Sequence, residues 1–131
     1  MSIVVEASVL VAAAADSGPE GRWAEDIVAQ EALAAPQLVL VEATNILRRL
    51  EAAGQIESPL ATAAHRDLLE LRIELFPFRP LAERVWELRS NLTSYDAWYV
   101  AIAELIEAPL ATLDRKLTRA SGPRCDFLKP D

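Results

Sequence analysis

Cysteine and histidine are nearly absent from this sequence. Cys125 is the only cysteine and His65 the only histidine among its 131 residues. One cysteine cannot form an intramolecular disulfide, and the two residues together cannot supply a zinc finger, a thiolate zinc cluster or an HExxH metalloprotease site. A Ser–His–Asp hydrolase is compatible with these counts, but the sequence has no G-x-S-x-G turn to carry its nucleophile. The motifs that depend on these two residue types therefore give no support for a catalytic site.

Glycine and long apolar runs are also scarce. Four glycines and eight prolines in a chain that is 52% hydrophobic exclude a collagen-like, low-complexity or disordered protein. The apolar stretch at residues 7–15 is much shorter than the roughly 18 residues that a membrane-spanning helix needs, and no basic segment precedes it. We expect a single cytoplasmic domain over residues 1–131, with no membrane partner.

Positive charge is in deficit. Thirteen Lys and Arg residues stand against twenty Asp and Glu residues, which gives a net charge of −7. A chain of this charge does not attract nucleic acid through its overall field. A polyanionic substrate would need bound cations or a local basic patch.

Short apolar runs alternate with helical patterns along the chain. Strand-like runs lie at residues 3–5, 38–41 and 110–113, with shorter or edge candidates at 75–78 and 125–128. Apolar spacing, caps and turn residues predict helices at residues 8–15, 23–33, 42–53, 58–71, 80–92, 95–106 and 114–120. This alternation predicts an α/β fold with a mainly parallel sheet and helices on both faces.

Four acidic residues stand at the ends of these predicted elements. Three directly follow a predicted strand and one lies in the first turn of the 95–106 helix; they are Glu6, Glu42, Asp114 and Asp96. The carboxyl ends of parallel strands meet at one rim of a sheet, where carboxylates repel each other unless a cation lies between them. Mg²⁺ and Mn²⁺ prefer such oxygen ligands, and they can activate water and clamp a phosphodiester. The pattern predicts a divalent-metal site.

Each acid also has a structural interpretation. Asp114 is placed to cap the predicted helix at 114–120, and Asp96 and Glu42 would complement the dipoles of the helices that they begin. Taken one at a time, the structural role is the more common one. The shared position of three of the four acids after predicted core strands favours a common site.

Four blocks of the sequence resemble the motifs of the PIN domain. They are VVEASVLV at residues 4–11, VEATNIL at 41–47, YDAWYVA at 95–101 and LATLDRKL at 110–117. The blocks occur in the family's order and span nearly the whole chain. They look most like the short VapC-type ribonuclease toxins of bacterial toxin–antitoxin pairs.

This resemblance implies a PIN-like three-layer α/β/α sandwich and RNA cleavage that depends on Mg²⁺ or Mn²⁺. It assigns the family's acidic roles to Glu42, Asp96 and Asp114, and it matches Ser8 to the small hydroxyl residue beside the first acid. It also implies a cognate antitoxin whose C-terminal segment blocks the acidic pocket, a toxin homodimer and a higher toxin–antitoxin assembly.

Glu6 departs from the family pattern, in which Asp is usual at this position. The extra methylene moves the carboxylate outward, and Mg²⁺ tolerates little departure from octahedral geometry. Glu6 either still binds a metal ion, through water or a repacked backbone, or leaves the site weak. An engineered change that disarms a toxic nuclease is a further explanation that the sequence leaves open.

Three polar residues near the acids have two interpretations each. Asn45 lies one turn after Glu42, where it either hydrogen-bonds the carboxylate or faces solvent. Arg115 and Lys116 beside Asp114 either meet phosphate or are ordinary solvated cations, and the second interpretation is the more common.

Two other classes of function compete with the nuclease. The first is a PIN-like binding or scaffold module that no longer cleaves, with Glu6 as the mark of lost activity. The second is a receiver-like domain in which an acidic rim binds Mg²⁺ for aspartyl phosphorylation. The receiver requires a lysine after a later strand, and Lys116 lies too close to Asp114 along the chain to serve.

Overall fold

Five short strands form one parallel sheet with the order β3-β2-β1-β4-β5. The computed structural model describes residues 1–29 and 32–131. Its strands are β1 (Ser2–Val5), β2 (Ala32–Pro36), β3 (Ile73–Phe76), β4 (Leu110–Ala111) and β5 (Phe127–Leu128). Val4 of β1 pairs with Ala34 of β2 on one side and with Leu110 of β4 on the other. The first strand of the chain is therefore the central strand of the sheet.

Seven α-helices connect and follow these strands within the described ranges. They are α1 (Ala7–Ala15), α2 (Pro19–Val28), α3 (Val39–Ala52), α4 (Ser58–Glu70), α5 (Ala82–Glu87), α6 (Ser94–Leu105) and α7 (Arg115–Arg119). In the same ranges, no helix is both long enough and apolar enough to cross a membrane.

The strand order places helices on both faces of the sheet. The chain moves in one direction from β1 to β3, returns past β1, and continues outward through β4 to β5. Because crossovers between parallel strands are right-handed, α1 to α4 cover one face and α5 to α7 cover the other. Accordingly, α1 contacts α2, α3 and α4, whereas α6 contacts α5 and the strands β1, β2 and β4. The fold is the predicted three-layer α/β/α sandwich.

The core lies around β1 and α6. Val4 and Val5 are fully buried in the centre of the sheet. All residues from 97 to 103 of α6 are buried, which confirms a helix enclosed between layers rather than one half-exposed at the surface. This burial fixes the direction of α6, and its first turn therefore lies at a defined place beside the carboxyl ends of the strands.

The strand predicted at residues 38–41 is wrong. The strand in this part of the chain is β2, and the LVLV run instead leads into α3, which begins at Val39. Val39 is fully buried, but Val41 is 64% exposed. The alanine-rich β2 segment has low intrinsic strand preference, yet pairing with both β1 and β3 overrides it. Glu42 consequently lies in the first turn of α3 and does not directly follow a strand.

Two predicted helices have different bounds in the structure. The helix expected at 23–33 is α2, which begins with Pro19 in its first turn and ends at Val28; Leu33 belongs to β2, and residues 30 and 31 lie outside the described ranges. The helix expected at 80–92 is a 3₁₀ turn (Arg79–Leu81) followed by the short α5. Asn91 donates a side-chain hydrogen bond to the carbonyl of Ser121 at 2.9 Å, which holds this segment in a turn.

Candidate active site

The four predicted acids lie where the sheet reverses its strand order. Such a switch point, here between β1 and β4, is the usual ligand-binding crevice of an α/β sheet. Glu6 follows β1, and Asp114 lies between β4 and α7. Glu42 and Asp96 are in the first turns of α3 and α6, on opposite faces of the sheet. Two acids are thus placed by strand ends and two by helix N-termini.

The carboxylate of Glu6 is held by two hydroxyl groups. Its Oε1 accepts hydrogen bonds from Ser8 Oγ at 2.8 Å and from Thr112 Oγ1 at 2.9 Å. Thr112 Oγ1 also accepts a hydrogen bond from the backbone N–H of Asp114 at 2.9 Å. One hydroxyl group, that of Thr112, therefore connects the carboxylate after β1 to the backbone after β4, and Ser8 provides the second hydroxyl group on Glu6.

The carboxylate of Glu42 is held by a buried tyrosine of α6. Tyr99 donates its phenol O–H to Glu42 Oε1 at 2.8 Å and accepts the backbone N–H of Ala7 at 3.2 Å. Burial and the nearby charge of Glu42 raise the pKa of Tyr99, so its phenol stays protonated and remains a donor. Tyr99 thus links α3 to the beginning of α1, next to Glu6.

Asp114 caps a helix, as its structural interpretation predicted, and Asp96 follows a capping threonine. Asp114 Oδ1 accepts the backbone N–H groups of Lys116 at 2.9 Å and Leu117 at 3.2 Å at the beginning of α7. At the beginning of α6 the cap is Thr93, whose Oγ1 accepts the backbone N–H of Asp96 at 3.2 Å. The Asp96 side chain is therefore not needed to cap its own helix.

Burial and mutual repulsion raise the pKa values of three of the acids. Desolvation is the largest cause for Glu6, Glu42 and Asp96, and hydrogen bonds from neighbouring groups offset part of each rise. The charge of Asp96 raises the pKa of both Glu6 and Glu42. The charge of Asp114 raises the pKa of Glu6 and Asp96. Every one of the four carboxylates therefore lies within electrostatic reach of at least one other.

A cavity of about 460 Å³ opens beside three of these acids. Glu6, Glu42 and Asp96 line it, whereas Asp114 does not. The remaining lining residues come from the beginning of α1, from α3 with the residue before it, and from α6: Ala7, Ser8, Leu38, Val41, Asn45, Ile46, Arg49, Tyr95 and Tyr99. Acidic groups and apolar walls thus share one crevice.

The four acids lie near one another, but they do not form a complete set of metal ligands. Over residues 1–29 and 32–131, no three histidine, cysteine, aspartate or glutamate side chains form a ready metal-binding group. Oε1 of Glu6 and Oε1 of Glu42 each accept a hydrogen bond from a hydroxyl group of the protein. Each of these carboxylates keeps its second oxygen outside those bonds.

Asn45 differs from its functional prediction. It lines the cavity, but its Oδ1 accepts a hydrogen bond from Arg48 Nε at 2.9 Å rather than supporting Glu42. The residue that supports Glu42 is Tyr99, and no local sequence pattern assigns a role to Tyr99 or to Thr112. Both lie inside the blocks that carry the family resemblance, and that position was the signal available to find them.

The fold and the site place this protein among the α/β proteins whose functional site is a set of carboxylates at the switch point of a parallel sheet. The chain belongs to the PIN-domain family, whose model matches residues 3–123. It is 36% identical over 123 residues to ribonuclease VapC9 of Mycobacterium tuberculosis, with 94% of both chains covered. It is 36% identical over 125 residues to ribonuclease VapC1 of the same species, with 95% of this chain and 94% of that chain covered.

Solved structures show the same fold. PAE2754 from Pyrobaculum aerophilum superposes with a TM-score of 0.71 at 26% identity, over 97% of this chain and 83% of that one. VapBC2 from Rickettsia felis, solved with a DNA fragment from its promoter, gives a TM-score of 0.69 at 17% identity over the whole of both chains. These likenesses support the PIN architecture in place of the receiver-like alternative.

Proposed function

We propose that the protein is a divalent-metal-dependent endoribonuclease of the VapC toxin type. The observation that carries the proposal is the single crevice lined by Glu6, Glu42 and Asp96, in a chain 36% identical to named ribonucleases. Asp114 lies within electrostatic reach of Glu6 and Asp96 from the next strand end. The residues that we assign to catalysis and metal binding are these four acids.

The donor set fits a hard cation. Carboxylate oxygens are the ligands that Mg²⁺ and Mn²⁺ prefer, and the mutual repulsion of Glu6, Asp96 and Asp114 is the unfavourable interaction that such a cation removes. When bound, the cation supplies activation of a water nucleophile and stabilisation of phosphoryl charge. A bound cation favours the ionised form of these acids and so opposes the rise in their pKa values.

The chain's own residues position this set of ligands. Ser8 and Thr112 fix Oε1 of Glu6, and Tyr99 fixes Oε1 of Glu42, which leaves the second oxygen of each outside these bonds. Preorganised side chains of this kind lose little freedom when a cation or substrate arrives. The reaction breaks one P–O bond of RNA by in-line attack of water and leaves a hydroxyl group on the departing strand.

We also propose a protein partner for the same crevice. The apolar residues Leu38, Val41 and Tyr95 line it, and they are 43%, 64% and 58% exposed. A cognate antitoxin segment would cover them and the acids together. The solved structure of VapBC2, and that of FitAB bound to a DNA fragment, which has the same fold, support such a partner. We extend the proposal to a toxin homodimer, a higher toxin–antitoxin assembly and a cytoplasmic location.

A second candidate function follows from Glu6. Its Oε1 already accepts two hydrogen bonds from within the protein, as expected for a residue with a structural role. A PIN-like module that binds RNA or protein without cleaving would retain the fold, the crevice and this internal bonding. Cleavage assays with Mn²⁺ and with EDTA distinguish the two candidates.

The variant Asp96→Asn tests the nuclease. The amide keeps the shape of the side chain but removes a ligand charge, so we expect cleavage of RNA with Mn²⁺ to be abolished. Stability without metal should stay constant or increase, because repulsion from Glu6, Glu42 and Asp114 is relieved.

The matched control is Asp67→Asn, which changes an exposed aspartate on α4, away from the crevice. It should leave both cleavage and stability unchanged. Retained cleavage by Asp96→Asn, together with mild destabilisation, would mean that Asp96 serves only its helix dipole.

A further inference from the structure

Arg49 is the one basic residue among those that line the acidic crevice in the described part of the chain. It belongs to α3, where Glu42, Asn45, Ile46 and Arg49 follow a spacing of three, four and seven residues and therefore share one helical face. All four line the crevice. The helix that supplies Glu42 thus also places a guanidinium two turns further along the same wall.

The guanidinium of Arg49 is free to bind a ligand. Within residues 1–29 and 32–131, its side chain makes no hydrogen bond and no ion pair, although three carboxylates line the same crevice. Its neighbour Arg48 differs in both respects. Arg48 donates Nε to Asn45 Oδ1 at 2.9 Å and does not line the crevice. Two adjacent arginines of one helix therefore have separate environments.

The other basic residues near the acids, Arg115 and Lys116, do not line the crevice. Arg115 donates to the carbonyl of Pro130 at 3.4 Å. With a net charge of −7, the protein offers a polyanion little general attraction. A fixed cation inside the crevice would therefore contribute a large share of the local attraction.

We propose that Arg49 binds a phosphate of the RNA strand, next to the phosphodiester that is cut. This contact would position the RNA in the crevice. The inference rests on the proposed function for the identity of the polyanion. Guanidinium matches phosphate with two parallel hydrogen bonds, which fixes the strand in register as well as attracting it. Contacts of this kind position a nucleic acid without reading its sequence.

The competing role for Arg49 is to screen the acids. A screening arginine lowers the repulsion between carboxylates, and its removal would tighten Mn²⁺ binding while leaving the affinity for RNA unchanged. A phosphate-binding arginine differs in its effect on RNA: its removal weakens RNA binding, whereas removal of an arginine that only screens the acids does not. The two roles therefore separate in a pair of binding measurements.

The experiment compares Arg49→Gln, Arg49→Lys and the matched control Arg48→Gln, which removes the same charge from the same helix. Binding of a short fluorescein-labelled single-stranded RNA is measured by anisotropy over a series of salt concentrations. For Arg49→Gln we expect about a tenfold loss of affinity, the range of a hydrogen bond to a charged group. Its plot of log K against log salt should also flatten by about 0.7, the value for one phosphate contact on a single strand.

Kinetics and Mn²⁺ titration complete the test. KM for RNA should rise about tenfold in Arg49→Gln with kcat within twofold, as for an interaction made equally in ground and transition states. Arg49→Lys should recover part of the affinity, because it restores the charge but not the bidentate geometry. Arg48→Gln should match the wild type within twofold.

The results that overturn the inference are specific. Equal RNA affinity and salt slope in Arg49→Gln and Arg48→Gln would exclude a phosphate contact, and tighter Mn²⁺ binding in Arg49→Gln together with that unchanged RNA affinity would assign the screening role. Failure of the nuclease proposal looks different, because the folded wild type would then bind RNA but not cut it. The anisotropy comparison of the arginine variants decides the inference in either case.

Discussion

Glu6 is the residue whose chemistry most needs a direct test. Its longer side chain reaches Ser8 and Thr112, and the same reach places its carboxylate away from the position that an aspartate would take. We expect Glu6→Asp to raise RNA cleavage, with a larger gain for Mg²⁺ than for Mn²⁺, because Mg²⁺ demands the stricter geometry. A displacement of 1 Å can change a rate on the order of a hundredfold.

The control for this prediction is Glu25→Asp, the same shortening at an exposed position of α2. Steady-state cleavage of one RNA with each metal ion gives the comparison. Unchanged or lower activity in Glu6→Asp would mean that Glu6 is already well accommodated as a ligand, or is not a ligand.

Tyr99 joins two parts of the site through one oxygen atom. Tyr99→Phe keeps the buried ring but leaves the N–H of Ala7 without its partner, which costs about 1–3 kcal/mol of unfolding free energy. It also frees the carboxylate of Glu42, so we expect weaker Mn²⁺ binding and slower cleavage. The control is Tyr95→Phe, at a 58% exposed phenol of the same helix, and it should change neither stability nor Mn²⁺ affinity. Equal Mn²⁺ affinity in the two variants would limit Tyr99 to a packing role.

At this scale the sequence indicates the acids but only one of the residues that hydrogen-bond to them, Ser8. Glu6, Asp96 and Asp114 were identified by where they stand relative to apolar runs, and Ser8 by the family motif. Tyr99 could not be assigned in the same way, because its hydrogen bond to Glu42 spans 57 residues along the chain. No local pattern encodes a contact between two helices on opposite faces of the sheet.

At the scale of secondary-structure elements, the largest difference between sequence and structure is around β2. The β-branched run at 38–41 has the stronger intrinsic strand preference, but β2 forms from Ala32–Pro36 because both of its edges are paired. The residual exposure of Val41 shows that the apolar run does not fill the core. The strand and helix preferences of the residues are enough to predict an α/β fold. The location of Glu42 in the first turn of α3 depends on the pairing of β2 with β1 and β3, which local preferences do not encode.

Asp114 has two roles that can be tested separately, because it caps α7 and is also one of the four acids assigned to the site. Asp114→Asn keeps an N-cap side chain of equal quality but removes the charge, so we expect stability within a few tenths of a kcal/mol and a loss of cleavage. Asp114→Ala should lose cleavage and about 1 kcal/mol of stability, since the cap is also removed. Urea unfolding and an RNA cleavage assay on both variants test this. Full activity in Asp114→Asn would restrict Asp114 to capping.

For the whole molecule, metal binding and pH are linked through the crevice. Glu6 and Glu42 have raised pKa values in the folded state, so without metal their contribution to stability is present below the ordinary value of 4.5 and is lost as pH rises through the raised values. We expect the unfolding free energy of the metal-free protein to decrease over that window. Mn²⁺ at ten times its dissociation constant should add about 1.4 kcal/mol, and at a fixed Mn²⁺ concentration the gain should increase towards higher pH.

Urea unfolding at several pH values, with and without Mn²⁺, measures both effects. Glu6→Gln should flatten the pH dependence of the metal-free protein, whereas Glu70→Gln, at an exposed position of α4, should leave it unchanged. An unfolding midpoint that does not respond to Mn²⁺ at any pH would contradict a metal site in the crevice.

The central position of β1 has a consequence for the time at which activity can arise during synthesis. The first strand pairs with β4, and Glu6 bonds to Thr112, 106 residues later in the chain. Contacts this distant form late, and during translation they cannot form before both partners have emerged. A growing chain that ends before β4 presents Glu6, Glu42 and Asp96 without the strand that aligns them. A ribonuclease built in this way would have aligned acids only after β4 and Thr112 have left the ribosome.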